Sequence, residues 1–212
     1  MGRRKKEPES VHRENISSAA ERLFFKKGIE GTTMDDIAKE AGYSKATLYV
    51  YFSGKEDVIG FLTLKSMRML YFFLKEALTP VTGTKGTYDR ICRSMMQYQE
   101  QYPLYFSFSL RKININFNTG NELPVEQEIY DLGEQINAEI VQFIHQGIEA
   151  GEFDKDIPIL PTAFLFWGSL SGVIEMSVNK QEYIQKAMGM SKQQFLEFGF
   201  ARLYRLIAAE ET

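Results

Sequence analysis

The chain has 212 residues, of which 44% are hydrophobic and 25% are charged. This length buries a core without help from disulfides or metals, and the composition excludes disordered and collagen-like chains. Cys92 is the only cysteine, which excludes an intrachain disulfide and a cysteine-based zinc cluster. No apolar run is long enough to span a bilayer and the basic start is not followed by the apolar segment of a secretory signal, so we expect a cytoplasmic protein without membrane contact.

Charge is distributed unevenly along the chain. Residues 1–55 hold 11 Lys and Arg against 8 Asp and Glu, a net charge of +3, whereas residues 56–212 hold 14 against 20, a net charge of −6. A basic end on an acidic body is typical of a small DNA-reading module joined to a larger domain. A difference of this size also arises by chance in so short a window, so the charge alone decides nothing.

Helical periodicity dominates from residue 14 onward. One apolar stripe predicts a first helix over residues 14–27. Thr33 and Asp36 are spaced as a capping box and predict the start of a second helix, which Gly42 ends, while Ser44 is placed as the N-cap of a third. Two short helices joined by so tight a turn indicate a helix-turn-helix.

The rest of the chain predicts longer helices and no strand. A long helix begins near Lys55 and ends before Pro80, and the Thr-, Gly- and Pro-rich residues 79–87 are expected to form a linker. Further helices are predicted over residues 87–102, 103–117, 122–150, 159–178 and 191–209.

The start of the third predicted helix carries the residues best suited to read DNA. A helix that enters the major groove needs an N-terminal end free of bulk, with donors for base edges and phosphates. The candidates are Ser44, Lys45, Ala46 and Thr47 at the helix start, Tyr49 and Tyr51 on its outer side, and Lys55 at the start of the next helix. The alternative role for the two tyrosines is aromatic packing within the module.

The run from Thr33 to Val58 closely resembles the DNA-binding domain of TetR-type transcriptional regulators. The resemblance rests on Ile-Ala-x-x-Ala-Gly at 37–42, Leu-Tyr-x-Tyr-Phe at 48–52 and Lys-Glu at 55–56. Two departures are Ala46, where this family often has Gly or Pro, and Val50, which replaces a larger or polar side chain. Base hydrogen bonds are therefore expected to be few, which shifts sequence choice toward DNA shape.

This resemblance also implies a role for each matching residue and an architecture for the whole chain. It implies that Thr33 and Ser44 touch phosphates, that Lys45, Ala46 and Thr47 approach bases, and that Tyr49, Tyr51 and Lys55 hold the DNA backbone. The fold class is then all-α, with a flexible basic tail over 1–13, a homeodomain-like helix-turn-helix over 14–54 and a helical ligand-binding and dimerisation domain over 55–212. Arg3 to Lys6 in the tail are expected either to reach DNA as an arm or to remain solvated.

The C-terminal half is rich in methionine and aromatic side chains, which suit an apolar cavity. The candidate ligand-lining residues are Met95, Met96, Tyr98, Tyr102, Phe106, Phe164 and Trp167, with core packing as the alternative for each. The candidate dimer-interface residues are Trp167, Leu170, Ile174, Phe195, Phe198 and Leu206, with internal core as the alternative. Two such helices from each of two chains would form a four-helix bundle.

The predicted function is that of a DNA-binding transcriptional regulator. We expect a homodimeric repressor that binds a palindromic operator and is released from it by a small apolar or amphipathic effector. No phosphate-binding loop, zinc-protease motif or nucleophile elbow is present in the sequence, so we expect no enzyme activity, no cofactor and no metal. The alternatives are a small-molecule sensor or carrier with a non-functional DNA-binding module, a helical enzyme that uses the C-terminal cavity, and an activator in place of a repressor.

Overall fold

The computed structural model describes residues 7–79, 83–111 and 124–209, and within these ranges the chain forms ten α-helices. In chain order they are α1 (Glu9–Lys27), α2 (Met34–Ala41), α3 (Lys45–Tyr51), α4 (Lys55–Ala77), α5 (Gly83–Gln101), α6 (Pro103–Ser109), α7 (Pro124–Glu149), α8 (Ile159–Asn179), α9 (Gln181–Met188) and α10 (Lys192–Arg205). The all-helical class predicted from the sequence is confirmed.

Two helices begin earlier than the sequence indicated. α1 begins at Glu9, inside the predicted tail. Periodicity did not predict these first turns because they are polar and carry no apolar stripe. α5 begins at Gly83, inside the predicted linker, where the backbone N–H and hydroxyl of Thr84 both donate to a carboxylate oxygen of Glu152. That contact comes from a residue far along the chain, so local sequence does not announce it. The hydrogen bonds from Thr84 also lower the pKa of the Glu152 carboxyl group.

Two other predictions of helix extent need correction. α6 ends at Ser109, whereas the sequence predicted a helix to residue 117, and residues 112–123 lie outside the described residues. α9 was not predicted, because Ile184 is its one buried side chain and a single apolar residue gives no stripe.

The first three helices close around a small apolar core. Ile16, Ile37, Leu48 and Phe52 are fully or almost fully buried there. The N-cap of α2 is the predicted capping box, and Gly42 ends that helix in the left-handed conformation, with φ of 73°, that favours glycine. The helix-turn-helix predicted from these signals is therefore confirmed at the level of its backbone.

α4 joins this module to the helices α5 to α10, which together form the C-terminal body. Its 23 residues give a length of about 35 Å at 1.5 Å per residue. Its first half packs on α1, and it also packs on α5, α6 and α7. Ser66, fully buried in its middle, donates to the carbonyl oxygen of Tyr105 at 2.6 Å. α4 therefore contacts both the helix-turn-helix module and the helices that follow it.

α8 and α10 pack closely together at the far side of the body. A Cβ added to Gly199 of α10 would come within 2.7 Å of the Val173 side chain of α8, so the glycine permits this approach. Among the described residues, α8 alone is long and apolar enough to cross a membrane by length and composition, whereas no run of that length was expected from the sequence. Only 28% of that stretch is buried, so much of its apolar surface faces outward.

Candidate nucleic-acid interface

The N-terminal end of α3 is held by a side-chain cap and is open to solvent. Ser44 Oγ accepts from the backbone N–H of Thr47 at 3.1 Å, and the two hydroxyl oxygens lie 2.7 Å apart. Ala46 and Val50 are exposed, and Tyr49 is 46% exposed, whereas Leu48 on the opposite face is buried. α3 therefore presents a small, accessible tip, as a helix that enters a groove requires.

Lys45 is the cation at this tip, and it is paired within the protein. Its Nζ lies 2.7 Å from Oδ1 of Asp35 in the first turn of α2, and both side chains are well exposed. The hydrogen bond to Asp35 raises the pKa of Lys45, so its ammonium group stays charged. DNA would have to share or displace this carboxylate, which makes Asp35 part of the surface that a base or phosphate meets.

Thr33 is less available to DNA than the sequence predicts. Both its N–H and its hydroxyl donate to Oδ2 of Asp36, at 2.9 and 2.7 Å. The same carboxylate pairs with Lys27 at 2.8 Å, and the bond to Lys27 followed by those to Thr33 lowers the pKa of Asp36 well below its usual range. Asp36 remains ionised, so a phosphate contact from Thr33 requires it to give up one of these bonds.

The two tyrosines of α3 have different surroundings. Tyr49 points outward, as predicted, but the ring of Tyr51 is half-buried and stacks on His12 at a centroid distance of 4.9 Å. Tyr43 contacts both rings edge-on, and its hydroxyl lies 2.7 Å from Nδ1 of His12. The expectation that Tyr51 lies on the outer side is wrong for its ring, because α1 extends far enough to cover it.

Arg13 is a positioning residue that the sequence analysis missed. Its guanidinium donates to the carbonyl oxygen of Tyr51 at 2.8 Å and pairs with Asp57 at 3.4 Å. It also lies over the ring of Phe52, 4.3 Å from the centroid, and Asp57 accepts in turn from Ser53. Arg13 thus ties α1 to the α3–α4 turn. Its partners lie about 40 residues away along the chain, so spacing gave no signal.

Lys55 begins α4 beside the module. Its Nζ donates to the carbonyl oxygen of Ile29 at 3.2 Å, which holds the ammonium group near the loop before α2. No side chain caps α4 at Gly54, so the N–H groups of its first turn remain available to an anion. Arg3 to Lys6, which were expected either to reach DNA as an arm or to remain solvated, lie outside the described residues.

Comparisons with known proteins agree with this geometry. Residues 16–60 match the family model described as bacterial regulatory proteins, tetR family. This helix-turn-helix module is a TetR-family DNA-binding domain. The chain is therefore a DNA-binding transcriptional regulator of the helix-turn-helix type.

Similarity to individual TetR-family proteins extends to different lengths. The regulator HbdR of an Aromatoleum species is 36% identical over 86 residues, 41% of this chain and 36% of that relative. IcaR of Staphylococcus epidermidis, a negative regulator of the biofilm operon icaADBC, is 23% identical over 79% of this chain and 91% of its own length. The crystal structure of a tetR-family regulator from a Shewanella species matches with a TM-score of 0.67 and 22% identity, over 94% of this chain and 99% of the other, which shows the shared fold.

The predicted ligand-lining residues lie in several separate places among the residues that the structure describes. Met95, Tyr98 and Phe106 have at most 1% of their surface exposed and belong to the core, where the Tyr98 hydroxyl donates to the carbonyl oxygen of Ser66. The others are dispersed. Met96 borders a cleft between α5 and α10, Tyr102 borders a cavity beside α1, Phe164 is 59% exposed on α8, and Trp167 is half-buried.

The predicted interface residues also divide into two groups. Leu170 and Ile174 are buried in the chain's own core, so they are not free to meet a second copy, and their inclusion was wrong. Trp167 and Phe195 are half-buried, while Phe198 is 52% and Leu206 66% exposed. We name as the α8–α10 face the outward apolar and small residues of these helices: Phe164, Leu165, Gly168, Gly172, Met176, Phe198 and Leu206.

Proposed function

We propose that this TetR-type regulator is a repressor that binds a palindromic operator as a homodimer and is released by a small apolar or amphipathic effector. The observation that best supports DNA binding is the accessible tip of α3, which has Lys45, Ala46 and Thr47 at its start and the exposed Tyr49 on its outer side. Repression is supported by the similarity to IcaR, a negative regulator, over most of its length. Activation uses the same module and differs in where the operator lies.

Dimerisation is proposed through the α8–α10 face. Five of its residues are large apolar side chains that solvent reaches, and Gly168 and Gly172 have open space where a Cβ would stand. Large contiguous apolar patches mark interaction sites, and glycines let a second helix approach closely. Two copies would place two α3 helices on one duplex, about 34–36 Å or a multiple of this apart.

The proposed release mechanism uses α4 as the connection between the two parts. An effector that favours one arrangement of the body over another shifts the tilt of α4 and hence the spacing of the two α3 helices. A coupling free energy of only about 1–3 kcal/mol changes operator affinity by about 5- to 150-fold. We further propose that residues 14–54 with the start of α1 act as the DNA-binding unit, that residues 55–212 hold the effector and the partner, and that the protein works in the cytoplasm.

The first prediction concerns base reading by Thr47. Thr47→Ala keeps the backbone N–H that Ser44 caps but removes the hydroxyl and methyl groups from the tip of α3. We expect the preferred operator sequence to change, with a loss of about 1–3 kcal/mol at one base position and little loss at the others. Binding to a panel of single-base operator variants measures this, and Thr79→Ala is the matched control. Equal weakening of every duplex would instead assign Thr47 to backbone contact.

The second prediction concerns the charge at the start of α4. Lys55→Met should reduce the slope of log K against log[salt] by about two units per dimer, because each half-site would lose one phosphate contact. Fluorescence anisotropy between 50 and 200 mM salt, roughly the range over which such contacts are resolved, gives the slope. Lys155→Met, an exposed cation of the α7–α8 connection, is the control. An unchanged slope for Lys55→Met would remove that residue from the interface.

A further inference from the structure

A cavity of about 300 Å³ lies where α1 of the DNA-reading module meets the turn between α5 and α6. Glu21, Arg22 and Phe25 line it from α1, and residues 101–105 line it from the body. We call it the α1–α6 cavity. It is separate from the core methionines and aromatics that were considered for the effector, apart from Tyr102 on its wall.

The walls of the α1–α6 cavity are aromatic. Tyr102 and Tyr105 lie nearly parallel, with ring centroids 6.2 Å apart and planes 13° apart. Phe25, on the opposite wall, is 74% exposed, and Tyr102 is 38% exposed, so both rings are accessible to a ligand. The faces of aromatic rings carry partial negative charge and attract cations within about 6 Å.

The charge at this cavity is negative. Oε2 of Glu21 accepts a hydrogen bond from the Tyr105 hydroxyl at 2.8 Å, while Arg22 is neutralised by Glu40 at 2.9 Å. Burial, with the added effect of Glu21, raises the pKa of Tyr105, so that residue remains a neutral donor. Lys65, 5.8 Å from the Tyr105 ring centroid, is itself paired with Glu14.

We propose that the α1–α6 cavity binds a monovalent organic cation with an apolar body, of the quaternary-ammonium or protonated-amine class. Glu21 supplies the opposite charge, and the rings of Phe25, Tyr102 and Tyr105 supply apolar contact and attraction for the cation. The volume suits a small molecule with one ring, and Arg22 and Lys65 are each paired with a carboxylate, which disfavours an anion there.

The position of the site gives its occupant a mechanical effect. Other contacts between α1 and the body include the ring contact of Phe24 with Phe108 and the Lys65–Glu14 pair. A bound cation adds contacts to both sides of this junction and restrains the module against the body. Such a site goes beyond the proposed effector, because it lies outside the core of the C-terminal body.

Titration calorimetry of the full chain with benzyltrimethylammonium tests the proposal, with phenylacetate as the anionic counterpart. We expect saturable binding of the cation and none of phenylacetate. Glu21→Gln should weaken cation binding about tenfold, because the charge is lost while the amide still accepts from Tyr105. Glu9→Gln makes the same change at an exposed position near the start of α1 and should leave binding unaltered.

A second variant keeps the test decisive if Glu21→Gln disturbs the fold. Phe25→Ala removes a mostly exposed ring, so the variant should fold normally. Its affinity for the cation should be at least about threefold lower. Absence of cation binding, equal binding of phenylacetate, or unchanged affinity in a folded Glu21→Gln or Phe25→Ala protein would each overturn the proposal. All of these titrations are made without DNA, so a negative result leaves the DNA-binding function untouched.

Discussion

Phe198→Glu is expected to convert the protein from a dimer into a monomer. The ring is 52% exposed on the α8–α10 face, so the substitution places a carboxylate where a second copy would otherwise bury an apolar ring. Burying an unpaired charge costs several kcal/mol, more than an interface of two helix pairs can spare. Sedimentation analysis should give the 24.4-kDa mass of a single chain in place of twice that mass. Affinity for a two-half-site operator should fall by about 100-fold or more, because simultaneous engagement is lost.

Phe72→Glu is the matched control for this substitution. Phe72 is 59% exposed on α4, away from the α8–α10 face, and receives the same change of side chain. It should remain a dimer with ordinary operator affinity. A dimeric Phe198→Glu protein together with a monomeric Phe72→Glu protein would move the interface to α4.

Arg13→Met should lower both the stability of the protein and its affinity for the operator, although Arg13 is not expected to contact DNA. The side chain of Arg13 is 24% exposed and that of Asp57 15% exposed, so the substitution leaves a largely buried carboxylate with fewer donors. Loss of a charge-assisted hydrogen bond and of the contact with Phe52 should reduce the free energy of unfolding by about 2 kcal/mol. The end of α3 would then be less ordered, and we expect operator affinity to fall by about tenfold. Chemical denaturation and anisotropy titration measure the two effects.

Arg22→Met provides the comparison on the same helix. Arg22 pairs with Glu40, but both side chains are substantially exposed, at 59% and 40%. Exposed pairs contribute about 0–1 kcal/mol, so this variant should be close to wild type in both measurements. If the two variants behaved alike, the Arg13 contacts would have no special part in placing α3.

Local signals in the sequence predicted the DNA-reading module well. Thr33 with Asp36, Gly42 and Ser44 each act within four residues, through caps and a left-handed turn, and the structure has all of them. Strong helical periodicity likewise located α4, α7, α8 and α10 to within a few residues. Such signals need no knowledge of what packs against them.

Long-range contacts account for what the sequence did not predict. The start of α1 at Glu9 and the burial of Tyr51 both involve long-range contacts with α3: the ring of His12 stacks on Tyr51, and Arg13 donates to the Tyr51 carbonyl oxygen, across more than 30 residues. On α8, the stripe of Leu170 and Ile174 was assigned to a partner because an apolar stripe looks the same whether its own chain or a second copy covers it. Only the packing of α8 against α7 and α10 separates the two cases.

Two α3 helices, held at a set distance by the proposed dimer, are expected to read one duplex together. Selection of bound duplexes from a random pool by the full chain tests this expectation most directly. We expect a sequence with two-fold symmetry, whose half-sites lie about 34–36 Å or a multiple of this apart, and which is no longer enriched with Phe198→Glu. Enrichment of an asymmetric single site, equally well by wild type and Phe198→Glu, would contradict it, as would a wild-type selection that enriches nothing.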